Sequence, residues 1–367
     1  MNTFTFHKSI ASPACRMQRS GVFVRCVVPI SALLLAASCG PQIQEMTKPG
    51  TSLVWPASPD RPRIQYVGAL RSGRDVGAGN IAEALVKPYG VAVDRKGRIF
   101  VTGKEKVMFF DGTNSAVGYL GDKPGKGKLT EPIGIAVSRD GRIFVSDGAA
   151  RKVFVYTRKG AVAGVIGRAG EFDTPCGIAL DERAGRIYVV DSKKHRVRVY
   201  TLKRYKYVRT IGSRGIGGKG TFNFPTNAAV DSRGNLYVVD TGNFRVKVFN
   251  KNGDYLRSIG RLGDVPGSFA RPKGITVDSE GHIYVVDSAF QNVQIFDAKG
   301  SLLLSFGSGG WGPGYFTLPA GMGIDSQDRI YVVDQWPGTV QIFQYLGKKY
   351  KQRKAKAAKK RTRSVVR

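Results

Sequence analysis

Short apolar runs, each followed by a polar turn, recur along the chain from about residue 63 to residue 346. The clearest example is "NLYVVD", which ends at Asp240, and comparable runs end at Asp147, Asp191, Asp287 and Asp334. Short apolar runs that are bounded by turn sequences such as "DSRG" are typical of β-strands. The one short helical pattern in this region is "NIAEALVKP". The pattern therefore predicts an all-β domain.

The runs belong to a repeat, and a proline begins the first strand of every copy. These prolines are Pro88, Pro132, Pro175, Pro225, Pro272 and Pro319, which lie 44, 43, 50, 47 and 47 residues apart. A period of this length with short strands indicates a propeller or a solenoid. The repeating unit has four predicted strands, of which the last copy supplies three, and in all six copies the third strand ends in an aromatic residue: Phe110, Tyr156, Tyr200, Phe249, Phe296 and Phe343. We expect these aromatic side chains to pack between neighbouring blades.

The two ends of the repeat region complement each other. The last copy lacks a fourth strand, because "TVQIFQYLGKK" runs directly into the basic C-terminal segment. A strand without a partner, "RIQYVGALRS" at 63–72, precedes the first full copy. We expect this N-terminal strand to complete the last blade, since closure removes exposed sheet edges. The prediction is an all-β, six-bladed β-propeller over residues 63–346, closed by its N-terminal strand.

The repeated aspartates are expected to be structural. A catalytic residue need occur only once, whereas an aspartate follows the second strand in five of the six copies. A carboxylate just after a strand can accept hydrogen bonds from backbone N–H groups of the following turn. The first copy has Gly103 and a shorter turn, so we expect an irregular blade edge there.

One copy is similar to a known repeat. The stretch "GRLGDVPGSFARPKGITVDSEGHIYVVDSAFQNVQIFDAKGSLLLSFG" at 260–307 resembles an NHL repeat in its glycines, its Phe before Pro, its Val-Asp turn and its "VQIF" strand. The resemblance covers residues 63–346 and is weakest in the first blade. It implies a six-bladed β-propeller. Members of the family bind proteins or RNA, and relatives with similar propellers are lyases or lactonases, so the fold alone does not decide function.

The N-terminal segment has the layout of an export signal. A basic region precedes "VVPISALLLAAS" without any acidic residue, and the apolar run is too short to span a bilayer as a mature helix. "LAASC" resembles a bacterial lipobox, although Ala36 stands where leucine is preferred, and this implies acylation of Cys39. Gly40, in place of the aspartate that retains lipoproteins at an inner membrane, favours the outer membrane of a Gram-negative host. Ordinary signal cleavage, which would leave Cys39 unmodified, is the alternative.

These features predict an exported, membrane-anchored lipoprotein. Residues 1–38 would be the signal and residues 39–62 the lipid anchor and a proline-rich linker. Cys15 and Cys26 would leave with the signal and Cys39 would carry lipid, so Cys176 would remain as the one thiol of the domain. We expect Cys176 to be a small buried hydrophobic residue.

The charge is strongly positive, with 58 basic and 27 acidic residues and a formal net charge of +31. Residues 347–367 contain many of the basic residues and no acidic one. A block of like charges repels itself and is usually disordered. The sequence leaves open whether this tail is only solvated or tethers the protein to an anionic surface.

Candidate catalytic residues are sparse, so no enzyme activity, cofactor or metal is expected. His195 and His282 lie in turns at opposite ends of a blade, where they should be exposed and cannot share a metal, and a zinc site needs three or four ligands. The sequence shows no nucleophile elbow, no phosphate loop and no pair of unlike carboxylates of the kind that glycoside chemistry needs. A propeller enzyme of the lyase or lactonase type is the alternative.

The turns between second and third strands suggest a binding surface. Those of the first four blades carry Lys104, Lys106, Arg151, Lys152, Lys193, Lys194, Arg196 and Arg245. The equivalent turns of blades five and six carry Phe290 and Trp336 and no basic residue. The face is either a merely solvated surface or a recognition site for an envelope protein or an anionic glycan or lipid headgroup. A nucleic acid is not expected to meet an exported protein.

Overall fold

The computed structural model describes residues 53–78 and 83–365, with side chains described up to residue 359. The expected signal, Cys39 and most of the expected linker lie outside the described residues. In the described part, the pairing of strands gives six large sheets, which are the blades, and two short parallel pairs.

The elements follow one another in the order that the repeat predicts. The chain begins with β1 (Val54–Trp55) and β2 (Ile64–Leu70), followed by a 3-10 helix at Gly73–Val76. Blade one contains β3 (Val91–Val93), β4 (Ile99–Gly103), β5 (Lys106–Asp111) and β6 (Ala116–Leu120). Blade two contains β7 (Pro132–Val137), β8 (Ile143–Asp147), β9 (Lys152–Tyr156) and β10 (Val162–Ile166). Blade three contains β11 (Pro175–Asp181), β12 (Arg186–Asp191), β13 (Arg196–Thr201) and β14 (Tyr207–Ile211).

The second half repeats the same arrangement. The pair β15 (Ser213–Arg214) and β16 (Thr221–Phe222) precedes blade four, which contains β17 (Pro225–Val230), β18 (Leu236–Asp240), β19 (Arg245–Phe249) and β20 (Tyr255–Ile259). Blade five contains β21 (Pro272–Val277), β22 (Ile283–Asp287), β23 (Asn292–Phe296) and β24 (Leu302–Phe306). The pair β25 (Ser308–Gly309) and β26 (Tyr315–Phe316) precedes β27 (Pro319–Ile324), β28 (Arg329–Asp334) and β29 (Thr339–Tyr345). The chain continues into α1 (Lys348–Val365).

The ring is closed by the N-terminal strand, as predicted. The sixth sheet has the strand order β1-β2-β29-β28-β27, and β2 is antiparallel to β29 from the pair Ile64↔Tyr345 to the pair Leu70↔Val340. The six-bladed, all-β fold class is therefore confirmed, and the last blade joins the two ends of the repeat region.

Part of the expected linker belongs to this blade. Residues 54–55 form β1 on the outer edge of β2, where a free linker was expected over residues 39–62. The reason is the apolar side chain of Trp55, whose ring centroid lies 5.8 Å from those of Phe306 and Phe343. Burial of a large aromatic ring holds this edge strand in place.

Apolar clusters between neighbouring blades form the core. All six third-strand aromatics are at most 2% exposed, and each belongs to a cluster that contains residues of two adjacent blades. Phe343 of blade six, for example, packs with Tyr284 and Phe306 of blade five. The predicted packing role of these aromatics is confirmed, and each blade depends on both of its neighbours.

The innermost strands approach each other closely. A Cβ atom on Gly134 would lie 2.1 Å from the carbonyl oxygen of Cys176, and one on Gly321 would lie 2.1 Å from that of Tyr89. The amide of Gly321 donates a hydrogen bond to this same oxygen at 3.0 Å, which joins blade six to blade one. Glycine is required here because no side chain fits between the strands.

The basic tail differs from the expectation of disorder, because residues 348–365 form α1. Repulsion between like charges along a helix opposes this state. Contacts between the first turns of the helix and the propeller offset this repulsion. The amide of Lys348 donates to Glu280, Lys349 Nζ lies 3.5 Å from Asp328, and Arg353 donates to Gln344. None of the helices in the described residues is long and apolar enough to cross a membrane.

Deletion of residues 53–72 should open the ring, because it removes the strand that pairs with β29. We expect the free energy of unfolding to fall by more than about 3 kcal/mol, with aggregation through the exposed edge. Urea denaturation and light scattering measure both effects. A chain that ends at Gly347 is the control, since it lacks α1 but keeps every strand. Equal stability of the deletion variant and this control would show that β2 does not close the ring.

Candidate binding face

The upper face of the propeller consists of the connections between blades and the turns between second and third strands. Backbone hydrogen bonds join the two sets. The amide of Ser192, in the turn of blade three, donates to Thr174 in the preceding connection, and the amide of Ser288 donates to Arg271 in the same way. The turns between first and second strands lie at the opposite ends of the blades and form the lower face.

The repeated aspartates fasten the connections to the blades. Asp287 is fully buried, and its carboxylate accepts N–H bonds from Ala270 at 2.8 Å and from Ala289 at 2.9 Å. The other aspartates accept equivalent bonds from their own connections, namely Asp147 from Thr130, Asp191 from Thr174, Asp240 from Asn223 and Asp334 from Thr317. The sequence predicts hydrogen bonds between these carboxylates and the following turn. The structure shows that they also accept hydrogen bonds from the preceding connection. In blade one, Gly103 has no side chain with which to make them.

Half of the predicted basic residues are available to a partner. The side chains of Lys104, Arg151, Lys152 and Lys193 are exposed. None of the four has a side-chain hydrogen bond or an ion pair with any other described residue. Their charges are therefore directed to solvent and are not neutralised by the fold.

The other four predicted basic residues have structural partners. Lys106 pairs with Glu83 and lies 4.6 Å from the ring centroid of Tyr119. Lys194 donates to the carbonyl of Gly170. Arg196 and Arg245 lie 3.4 and 3.5 Å from the aspartates of their own blades. These four side chains hold connections and turns in place, so their contribution to binding is smaller than the sequence suggested.

The connections between blades carry further exposed basic residues, in addition to those of the turns. Lys123 and Lys126 precede blade two, and Arg168 precedes blade three, and all three are exposed. Exposed arginines and lysines also precede blades four and five: Arg214, Lys219, Arg261 and Arg271. The basic sector is thus wider than predicted.

The connection and the turn of blade six are poor in charge, although the exposed Arg71 lies beside them. The connection at 307–319 and the turn at 334–339 contain no charged residue except the buried Asp334. Trp336 is 60% exposed and Trp311 is 53% exposed, with ring centroids 6.2 Å apart in an edge-to-face arrangement. Phe290 of blade five is partly buried and presents less of its ring.

Neither histidine is a freely exposed turn residue, which corrects the prediction. His195 is only 5% exposed, because its ring packs 4.5 Å from that of Phe224 and its Nδ1 accepts the N–H of that residue. His282, on the lower face, lies 2.8 Å from Asp278 and packs against Tyr345. Among residues 53–78 and 83–365, no group of three or more histidine, cysteine, aspartate and glutamate side chains could hold a metal ion.

A channel lined by the first strands runs through the centre of the ring, with a cavity volume of ≈ 270 Å³. Tyr89 lies at its upper mouth and interacts electrostatically with Cys176 of blade three, which in turn interacts with Lys273 of blade five. Burial raises the pKa of the Cys176 thiol to about 12, and the thiol donates to the carbonyl of Thr174. The prediction that Cys176 is a small buried side chain is consistent with its exposure of 7%.

Comparison with protein families identifies the class of this protein. A family model described as a 6-bladed beta-propeller matches residues 128–213, 228–291 and 279–357. These matches cover more than half of the chain, so the protein belongs to this six-bladed β-propeller family. A second model, a beta-propeller repeat, matches residues 64–104. No curated protein matches the sequence.

Solved structures of similar shape have diverse functions. A gluconolactonase from Xanthomonas campestris is 17% identical with a TM-score of 0.56, and the match covers 82% of this chain and 99% of that one. An inactive virginiamycin B lyase from Staphylococcus aureus, solved with quinupristin, is 17% identical with a TM-score of 0.53. The match covers 70% of this chain and 94% of that one. A protein of unknown function from Bacteroides thetaiotaomicron is 19% identical with a TM-score of 0.57. The match covers 77% of this chain and 75% of that one. At these identities the likeness shows the fold alone.

Stability should depend on pH through His282. Its hydrogen bond to Asp278 raises the pKa of the imidazole above the ordinary value of 6.5. Because the folded state binds the imidazole proton more tightly than the unfolded state, protonated His282 stabilises the fold fully below pH 6.5. This stabilisation is lost as the pH rises through the pKa of the folded state. His282→Gln should therefore lower the free energy of unfolding by about 1 kcal/mol at pH 5.5 and by less at pH 9. Urea denaturation of both proteins at both pH values measures this, and an equal difference at the two values would contradict it.

Proposed function

We propose that the protein is an exported, lipid-anchored propeller of the NHL type that binds an anionic partner of the cell envelope through its upper face and catalyses no reaction. The observation that carries the proposal is the set of exposed cations without partners, Lys104, Arg151, Lys152 and Lys193, on the same face as an exposed tryptophan pair. The partner is an acidic protein, an anionic glycan or a lipid headgroup.

The exposed cations suit the capture of an anionic partner. Surface cations that are paired within the fold contribute little to an outside field, whereas unpaired ones add to it. A field of this kind raises the association rate and is screened by salt, since the Debye length falls from about 10 Å at 0.1 M to about 3 Å at 1 M. The upper-face cations would therefore determine how fast the partner binds.

The tryptophan pair suits the retention of a bound partner. Large exposed aromatic rings are uncommon on monomeric surfaces and mark interaction sites when they cluster. Tryptophan is also enriched among residues that dominate binding energy. The connection of Trp311 and the turn of Trp336 carry no charge except the buried Asp334, and Arg71 lines the same groove as Trp311, so an anionic partner can cover both rings beside a cation. Loss of Trp336 should mainly accelerate dissociation.

The proposed anchor would place this face near its partner. Acylated Cys39 would attach the chain to the membrane, and residues 40–52 could span up to about 45 Å when extended. One lipid signal is often supplemented by a basic segment that is attracted to anionic headgroups. The helix α1 supplies ten basic residues and no acidic one, so it would act as the second signal.

A matched pair of charge reversals tests the proposal. The full chain with Arg151→Glu and Lys193→Glu should bind isolated envelopes several-fold more weakly at low salt, because the cations that attract the partner are reversed. The variant with Lys203→Glu and Arg204→Glu, in an exposed turn of the lower face, has the same net charge and should bind nearly normally. Sedimentation with envelopes at 0.05 and 0.5 M salt measures binding.

Two further observations complete this test. Protease treatment of the envelopes should abolish binding if the partner is a protein and spare it if the partner is a glycan or a lipid headgroup. Equal losses for the upper-face and lower-face variants would show that binding follows net charge and would contradict a specific upper face.

A further inference from the structure

The residue after the first-strand proline differs in every blade. These residues, which stand at the upper ends of the innermost strands, are Tyr89, Ile133, Cys176, Thr226, Lys273 and Ala320. The preceding proline is the same in all six copies, and glycine follows in five of the six. Packing requirements are alike in all blades, so they do not account for six different side chains. The six blades therefore differ from one another in the side chain that they place at this upper end.

Blade four shows how this position is satisfied by protein groups alone. The hydroxyl of Thr226 lies 2.8 Å from that of Thr241, the residue that follows the blade's buried aspartate. Thr241 in turn donates to the carbonyl of Pro272 in the next blade. Both hydroxyl groups therefore have partners within the fold.

Blade five has polar groups at the same two positions, and neither has a partner. Ser288 follows Asp287 as Thr241 follows Asp240, and it is 7% exposed, yet its hydroxyl makes no hydrogen bond within the described structure. Lys273 takes the place of Thr226, is partly buried, and has no side-chain hydrogen bond or ion pair with any described residue. A buried hydroxyl without a partner is costly and rare, so Ser288, with an unpaired and partly buried lysine at the corresponding position beside it, requires an explanation.

Arg271 adds a positive charge close to Lys273. Arg271 lies two residues before Lys273, and together with burial it lowers the pKa of the lysine. The carboxylates of Asp191 and Glu131 act on the Cys176 thiol of blade three, on which Lys273 also acts. Burial raises the pKa of Tyr89, so its phenol stays protonated and remains a hydrogen-bond donor at the mouth.

We propose that the upper mouth of the channel binds the oxyanion group of a small ligand, a carboxylate or a phosphate, with the ammonium of Lys273 and the hydroxyl of Ser288 as its donors. The cavity of ≈ 270 Å³ along the channel is lined by Tyr89 and by the first strands below these two donors, so a small ligand held at the mouth could extend into it. Hydrogen bonds from charged donors to oxyanions are short and strong. This site is distinct from the exposed cations of the turns and would give the propeller a small-molecule ligand in addition to its macromolecular partner.

Acetate and inorganic phosphate are suitable probes, because each presents only the proposed group. Either probe, titrated into the full chain at constant ionic strength, should raise the melting temperature in a saturable manner, since a ligand of the folded state stabilises it. Saturation with acetate indicates a carboxylate ligand, and saturation with phosphate indicates a phosphate ligand. A general salt effect would increase without saturation.

Variants assign the effect to the two donors. Lys273→Met should abolish the saturable rise, whereas Lys193→Met, an exposed lysine of the same face, should retain it. Ser288→Ala should weaken binding several-fold while leaving the unliganded protein at least as stable, because it removes a buried hydroxyl that lacks a partner. The absence of a saturable rise with both probes, or a rise that survives both Lys273→Met and Ser288→Ala, would overturn the proposal.

Discussion

A buried carboxylate at the end of the second strand holds the upper face of each of blades two to six. Asp287 receives N–H groups from the connection before its blade and from the turn within it, so one side chain fixes two loops at once. Loops fixed in this way keep their exposed side chains at constant positions, which a recognition surface requires. The order of the upper face therefore depends on residues that themselves contact no partner.

The repeat separates positions that build the ring from positions that distinguish its blades. Neighbouring blades make the same contacts all around the ring. The third-strand aromatics, the prolines that begin the first strands and the buried aspartates therefore recur. Lys273 and the pair of Trp311 and Trp336 depart from the repeat without improving that packing. In a protein of copied units, such departures are where a ligand or partner can be recognised, and we infer function from them.

The sequence was sufficient for the architecture because strand patterns and turn residues are local signals. It predicted the six blades and the closing strand, since an unpaired strand at one end matched a missing strand at the other. It could not predict that His195 would be buried by Phe224, because this contact joins two loops of neighbouring blades that meet only when the blades pack. The helix α1 was missed because charge repulsion opposes it and its contacts with Glu280 and Asp328 are tertiary.

Amide hydrogen exchange in Asp287→Ala tests the role of the buried carboxylates most directly. If the carboxylate holds the connection, the amides of Ala270 and Arg271 should exchange at least about tenfold faster than in the unaltered protein, because a charge-assisted hydrogen bond contributes about 1.5–3 kcal/mol. The amides of β22 should stay protected, since their ladder bonds remain. Unchanged exchange at Ala270 and Arg271 would contradict the account and would mean that the upper face is ordered by other contacts.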